Sequence, residues 1–240
     1  MTRQTVLITG ANKSIGFETA RQLGVLGYRI WLGSRDVGRG QAATDQLRAE
    51  GHDVRHIDID VTNDASVSAA SQRVATEDGQ LDILINNAGI PGMSVPPSQQ
   101  PVDNVREVYE TNVFGPIRVT RAFLPLLKAA NGAKIIMVSS GLGSLTWRSD
   151  PGNMHHGVNF MGYNSSKTAL NAVTLAFAQE LAPDRIAVNA TDPGYTATDF
   201  NHHSGYRTVE QAAAGIVWLA ERNDPEQTGG YFFEQDRVPW

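Results

Sequence analysis

Short β-branched runs alternate with longer helical patterns from one end of the chain to the other, and that alternation restricts the fold more than any other feature. Strand-like runs fall at residues 6–9, 29–32, 54–59, 81–85, 133–138, 186–190 and 231–233. Helical patterns occupy 15–26, 38–50, 64–75, 102–129, 161–181 and 209–220. Runs such as Ile83-Leu84-Ile85 and Ile135-Ile136-Met137-Val138 are continuously apolar, as strands are when helices cover both faces of a parallel sheet. The expectation is an α/β fold: a doubly wound parallel sheet of about seven strands with helices on both faces. No linker or repeat divides residues 1–240, so one domain is expected. Ligands of such sheets bind beyond the carboxyl ends of the strands. A pocket is therefore expected among the loops at about 89–101, 141–162 and 195–206.

Composition removes several function classes. A formal charge of -5 offers no basic face for nucleic acid. Zero Cys excludes disulfides, thiolate nucleophiles and iron–sulfur clusters, and fits a reducing, cytoplasmic setting. No apolar stretch approaches the ~20 residues that span a bilayer, so no membrane partner is expected. His52 and His56, His155 and His156, and His202 and His203 have no carboxylates at ligand spacing, and no metal is expected.

Residues 9–16 read TGANKSIG between the first strand and the first helix. Backbone N–H groups in such a turn, together with the helix N-terminus, suit a pyrophosphate. Gly10, Asn12, Lys13, Ser14, Ile15 and Gly16 are the candidate contacts. Ser14 stands where such a loop carries its middle glycine; if that position needs φ > 0, a Cβ costs roughly 1–2 kcal/mol. The second strand ends at Gly33-Ser34-Arg35-Asp36. A strand-tip acid hydrogen-bonds the ribose 2′-OH of NAD, whereas an Arg accepts the 2′-phosphate of NADP. Arg35, with Lys13 as a second cation, favours NADP(H) over NAD(H); Asp36 turned inward would reverse that. The bland alternative leaves both cations as solvated surface charges.

Tyr163 and Lys167 lie four residues apart, on one helix face. With six Tyr and four Lys in 240 residues this spacing arises by chance about 0.1 times per chain, so its company decides its meaning. Asn86-Asn87-Ala88-Gly89 follows the fourth strand, Asn112 lies in the next helix, Ser139-Ser140 closes the fifth strand, and Pro193-Gly194 follows the sixth. Hydride arriving at a carbonyl carbon leaves charge developing on oxygen, which needs a hydrogen-bond donor and a proton source at one point. Ser140 and Tyr163 would supply them. An ammonium about 5 Å away at an effective dielectric of ~20 is worth roughly 3 kcal/mol, or about two pKa units, so Lys167 is expected to lower the phenol pKa. Against these roles stand plainer ones: a packing Tyr, an Asn that kinks or caps its helix, and serines that finish a strand. Asp192 is read as a turn residue rather than an acid catalyst.

Taken together, TGANKSIG, Asp60-Val61, NNAG, Asn112, Ser140, Tyr163, Lys167 and Pro193-Gly194 resemble the short-chain dehydrogenase/reductase family, in its compact single-domain branch. The resemblance covers the whole chain. It implies a Rossmann-type sheet, a nicotinamide cofactor and carbonyl/alcohol interconversion. It further implies that Asp60 holds the adenine amino group beside Val61, and that Asn86, Asn87, Ala88 and Gly89 line the adenosine ribose and strand end. Thr196 and Thr198, just past Pro193 and Gly194, would anchor the carboxamide and phosphates. Lys167 would hold the nicotinamide ribose and Asn112 a proton-passing water. Ser140 is preferred to Ser139 because Gly143, three residues on, matches the family spacing. In the family, helices corresponding to about 102–129 and 161–182 form subunit interfaces, so a homodimer or homotetramer is expected.

Met93, Leu142, Trp147, Met154, Tyr195 and Phe200 suggest a mainly apolar substrate pocket. The segment 195–206 is either a lid or an ordinary surface loop. Phe232, Phe233 and Trp240 would pack across another interface or cover the pocket. The expected activity is NADPH-dependent carbonyl reduction of a ketone or aldehyde. A non-catalytic NADP(H)-binding sensor, or a dehydratase or epimerase on the same scaffold, is the alternative.

Overall fold

The computed structural model describes residues 3–222 and 227–240. In chain order its elements are β1 (Thr5–Ile8), α1 (Ser14–Val25), β2 (Arg29–Ser34), α2 (Val37–Ala49), β3 (Val54–Asp58), α3 (Asp64–Glu77), β4 (Ile83–Asn86), α4 (Val102–Tyr109), α5 (Gly115–Ala129), β5 (Lys134–Val138), α6 (Leu145–Ser149), α7 (Met161–Leu181), β6 (Ala187–Asp192), α8 (Val209–Glu221), β7 (Tyr231–Phe233) and β8 (Asp236–Arg237). One sheet runs in the order β3-β2-β1-β4-β5-β6-β7-β8. All its pairings are parallel except β7 with β8. The eighth strand is a two-residue, exposed return after Glu234, which takes a left-handed φ of 54°. Its Asp-Arg pair carries no apolar signal from which a strand is expected.

Because every central strand is covered twice, successive side chains enter opposite cores. Leu7 joins the layer formed by Val74 of α3, Phe123 of α5 and Leu181 of α7. Its neighbours Val6 and Ile8 join Leu23 of α1, Leu47 of α2 and Ile216 of α8. β1 is hydrogen-bonded to both β2 and β4, so the chain leaves it in opposite directions on its two sides. The loops after β1 and β4 part there, and doubly wound sheets bind ligands at this reversal.

The single helix expected over 102–129 is two helices joined by a π turn, Glu110–Phe114. Pro116 lacks the N–H that would return to the Asn112 carbonyl, and the Gly115 amide instead reaches Glu110. The loop expected at 141–162 contains α6, and that at 89–101 contains a short 3₁₀ turn, Pro97–Gln99. Trp240 stacks on Tyr231 within the chain (centroids 5.3 Å, interplanar 16°), and its carbonyl accepts the Thr146 amide at 3.1 Å. Phe232 packs edge-on against Trp218.

Ser14, the first residue of α1, has φ 52°, which confirms the strained backbone that the glycine loop anticipated. A Cβ in that region costs roughly 1–2 kcal/mol, partly offset because Gly loses more backbone freedom on folding. Ser14→Gly is therefore expected to raise stability modestly, with Tm up by about 1–4 °C for a domain of this size. Thermal unfolding checks this; an unchanged or lower Tm would mean that the Ser14 hydroxyl offsets its own strain.

Candidate active site

The glycine loop is tied to β4 before any ligand is considered. Thr9 Oγ1 accepts the amides of Asn87 (3.0 Å) and Ala88 (3.1 Å). The Asn87 side chain returns its own N–H groups to the carbonyls of Thr9 (2.9 Å) and Gly10 (3.1 Å). Gly10 takes φ +64°, and a Cβ there would press on Ala88 at 3.0 Å. Gly16 is similarly closed in: a Cβ there would stand 2.8 Å from the Gly10 carbonyl oxygen. Lys13, at the N-cap of α1, supplies no side-chain cap, so the first-turn amides of Ser14, Ile15 and Gly16 have no side chain competing for them. That donor set fits the pyrophosphate of a dinucleotide. Asn86 is turned elsewhere: its amide donates to Thr120 Oγ1 (3.2 Å) beneath the sheet.

Around the β2 tip, Arg35 is exposed, and the Asp36 carboxylate is engaged as the N-cap of α2, accepting the Arg39 amide at 2.9 Å. Asp36 therefore does not face the cleft as a ribose acceptor. Asp60 Oδ1 accepts both the amide (2.9 Å) and the hydroxyl (2.8 Å) of Thr62. Burial works against the Asp60 charge, but these two bonds and the nearby Arg35 and Arg118 hold the carboxyl below its ordinary range. Val61 is buried, against Gly115. An open cleft beside the glycine loop is lined by Asn12, Lys13, Phe17, Arg39, Gln46 and Asp199. Phe17, Arg39, Gln46 and Asp199 escaped the sequence reading, and two of them carry charge. Arg39 sits one helical turn after Arg35, a spacing that was readable; Asp199 arrives from the segment after β6 and ion-pairs with Lys13 at 2.8 Å.

At the next strand ends, α7 docks across the tip of β5. Lys167 is 4% exposed and its Nζ donates to the Val138 carbonyl at 2.7 Å. Ser139 gives its hydroxyl to Asn171 (2.6 Å), which leaves Ser140 as the serine near enough to the Tyr163 phenol to act on its ionisation. Ser140 Oγ also accepts the Leu142 amide at 3.3 Å. Asn112, in the π turn, accepts the Ile90 amide (2.9 Å) and donates to the Ile90 carbonyl (3.0 Å) and Ser166 Oγ (3.1 Å). A Cβ at Gly89 would stand 3.4 Å from Asn112 Oδ1 and 3.8 Å from Lys167 Nζ, so β4, the π turn and α7 converge there. The four side chains singled out in the sequence thus meet at one place.

Their ionisation differs from the expectation in one respect. Burial pushes the Tyr163 phenol above its ordinary value, the Ser140 hydroxyl pulls back in part, and the Asp192 carboxylate pushes it further up. Lys167, 5.7 Å from the phenol ring centroid, does not reverse this, because burial lowers its own pKa to about 8 even with Asp192 opposing. The expected lowering of the phenol is corrected accordingly: in the protein alone, desolvation outweighs the neighbouring ammonium. The phenol is held as an acid, able to give a proton to an oxygen placed against Ser140.

Beyond β6, Gly194 has φ +73° and Thr196 Oγ1 donates to the carbonyls of Pro193 (3.2 Å) and Gly194 (3.1 Å). The Thr198 amide donates to Asn201 Oδ1 at 3.2 Å. Phe200 presents itself edge-on to the Tyr163 ring, centroids 5.4 Å apart. Trp147 stacks on His155, 4.9 Å between centroids, and His155 in turn reaches Gly141. Met93 and Met154 are exposed, and Tyr195 packs against Tyr206 (6.2 Å). Of the six pocket candidates, Phe200, Trp147 and Leu142 therefore lie closest to the catalytic group in contacts among the described residues.

Comparison with known proteins agrees with this arrangement. The family model described as short chain dehydrogenase matches residues 4–207. The chain is 35% identical to the short-chain dehydrogenase anuI of Penicillium roqueforti, covering 99% of this chain and 96% of that one. It is 32% identical to (+)-neomenthol dehydrogenase of Arabidopsis thaliana, with 99% and 98% covered. Among solved structures, NADPH-bound carbonyl reductase from chicken fatty liver superposes with a TM-score of 0.89 at 27% identity, over 100% of both chains. On its motifs, its sheet and these relatives, the chain belongs to the short-chain dehydrogenase family.

Proposed function

We propose that the protein is an NADPH-dependent carbonyl reductase acting on a ketone or aldehyde with a mainly apolar body. The observation that carries this reading is the convergence of Tyr163, Ser140, Lys167 and Asn112 at the carboxyl ends of β4 and β5, beside a helix N-terminus without a side-chain cap. When bound, the nicotinamide supplies the hydride. Ser140 donates to the carbonyl oxygen and stabilises the charge that gathers there, and Tyr163 delivers the proton. A phenol raised by burial is fully protonated at neutral pH, the state that reduction needs. Lys167, with a pKa of about 8, is largely charged there and would hold the nicotinamide ribose. The Asn112 side chain is committed to Ile90 and Ser166, so what it offers a water is the main-chain carbonyl that Pro116 leaves without its i+4 donor.

Lys13 and Arg39 line the cleft beside the glycine loop, Arg35 is exposed at the β2 tip, and Asp36 is occupied as a cap, which supports NADP(H) over NAD(H). Gly10, Asn12, Ser14, Ile15 and Gly16 would cradle the pyrophosphate. Asp60, Val61, Asn87, Ala88 and Gly89 would line the adenosine, and Pro193, Gly194, Thr196 and Thr198 the nicotinamide side. Phe200, Trp147 and Leu142 favour an apolar substrate, as do relatives named for neomenthol and salutaridine. Phe114 is 48% exposed beside α5, and Ala172 and Ala176 are exposed on α7, which supports self-association through these helices. Light scattering reads the expected homodimer or homotetramer.

NADPH consumption over a panel of ketones, aldehydes and quinones tests the reading directly. Tyr163→Phe is expected to lower turnover by about 10²–10⁴-fold while NADPH affinity stays within about twofold. Survival of activity within a few-fold would remove Tyr163 as the acid. Arg35→Asp is expected to weaken NADPH binding far more than NADH binding, read by fluorescence titration; equal losses would undo the 2′-phosphate argument. Asp199→Asn releases Lys13 from its partner, so NADPH is expected to bind a few-fold more tightly and NADH unchanged. A parallel change in both cofactors would mean that Asp199 acts elsewhere.

A further inference from the structure

The site holds a second acid for which the proposed chemistry has no use. Asp192, at the end of β6, is 5% exposed and ends in the midst of the catalytic group. Its Oδ1 accepts the Gly194 amide at 2.9 Å, and its Oδ2 lies against Gly141, the residue after Ser140, where a Cβ would stand 2.8 Å from it. A lone turn residue would need only the first of these contacts. The second joins the β6 tip, with its Pro193-Gly194 turn, to the β5 tip that carries Ser140.

His155 completes the arrangement from the 150s loop. Asn153 Oδ1 already accepts the His155 amide at 3.0 Å, so it is the carbonyl end, and the 2.9 Å contact with Nδ1 places a proton on that nitrogen. Nε2 is then the end left free. A Cβ at Gly141 would collide with His155 Nε2 and would stand 2.8 Å from Asp192 Oδ2, so imidazole and carboxylate face each other across a residue that has no side chain to separate them. That places them within the ~4–6 Å over which an opposite charge favours an ionised carboxylate. Trp147, stacked flat on the ring, fixes its plane.

We propose that Asp192 is a positioning residue that, bonded to the Gly194 amide and seated against Gly141, sets Ser140 against Tyr163, with His155 as its charge partner across Gly141. The proposal rests on the reading of Ser140 and Tyr163 as the reacting pair. Among the described residues, the other charged or titratable groups facing Asp192 are Tyr163 and Lys167 from α7, Tyr231 from β7, and Arg207 from the segment before α8. Tyr163 and Tyr231 are raised by burial and Lys167 titrates near pH 8, so of the groups that shift here it is Asp192 and His155 that change charge on the acid side of neutrality. The carboxylate is an acceptor on both oxygens; once protonated, one of them becomes a donor. Burial raises Asp192 above the ordinary carboxylate range, while the backbone at Gly194 and Gly141, His155 and Arg207 oppose that rise. Removing the His155 cation must therefore move Asp192 protonation to higher pH.

The test is the pH profile of kcat for carbonyl reduction at saturating NADPH, in the wild type, His155→Gln, His155→Phe (which keeps the stack on Trp147), Asp192→Asn and Tyr163→Phe. Both His155 variants are expected to shift the acid limb upward by about half a pH unit or more, with NADPH affinity within about twofold. Asp192→Asn should lower kcat at least about tenfold and abolish that limb, with cofactor binding little changed. A limb that stays in place in both folded His155 variants, or a wild-type kcat in Asp192→Asn, overturns the proposal. An independent readout needs no turnover: the proton NMR titration of the His155 ring in cofactor-free protein should fall by about half a unit or more in Asp192→Asn, because the carboxylate raises it. An unmoved midpoint refutes the pairing even if Tyr163 proves to be the acid. A moved midpoint with Tyr163→Phe fully active keeps the pair and rejects the reading of the reaction.

Discussion

The docking of α7 across the tip of β5 is the constraint on which the site depends. Three side-chain bonds fix it: Lys167 to the Val138 carbonyl, Ser139 to Asn171, and Thr168 to the Gly143 carbonyl (2.9 Å). Gly143 matters to the same contact, since a Cβ there would stand 2.9 Å from the Lys167 carbonyl carbon. With backbone and helix this close, Tyr163 and Ser140 have little freedom to part. Removing any of these groups would leave buried polar atoms unpaired, which costs more than the bond alone contributes. The geometry of the candidate site is thus part of how the helix packs, and the folded core sets it in advance of any ligand.

The β1/β4 reversal is braced by the same logic. The side chains of Thr9 and Asn87 make four bonds between the glycine loop and the β4 end, so the glycine turn is held from the sheet side while the α1 amides stay without a side-chain cap. Ser14 shows the cost of that arrangement: its backbone sits in a region that a Cβ disfavours, and the surrounding bonds over-determine it. Two rigid mounts, one at β1/β4 and one at β5/α7, therefore face each other across the strand ends.

What was legible in the chain follows from whether the signal is local. Continuous apolar strands, the glycine turn, and the order of Asn112, Ser140, Tyr163 and Lys167 lie within short windows, and the structure brings those residues together. Pro116 already contained the break in the 102–129 helix, but the hydrophobic period ran through it and hid the π turn. The Asp36 cap was also local: its acceptor role at an N-cap competes with a cofactor role, and the cap prevails. The Lys13–Asp199 pair joins residues far apart in sequence, so no window could show it. Asp192 was half legible, since its bond to Gly194 is the turn that Pro193 suggests, while its contact with Gly141 depends on β5 and β6 lying side by side. Ionisation was the least legible, because desolvation is a property of the packed site and reversed the direction expected for Tyr163.

That reversal describes the protein without its cofactor. A phenol raised by burial and by the Asp192 carboxylate favours the protonated state. Ionising it would call on Lys167 as a nearby cation, and Lys167 loses its charge from about pH 8 upward. As pH rises toward the range where Tyr163 would ionise, the ammonium that would stabilise that ionisation is disappearing. The two groups therefore do not support one another's charged states, and this follows from burying both in one site.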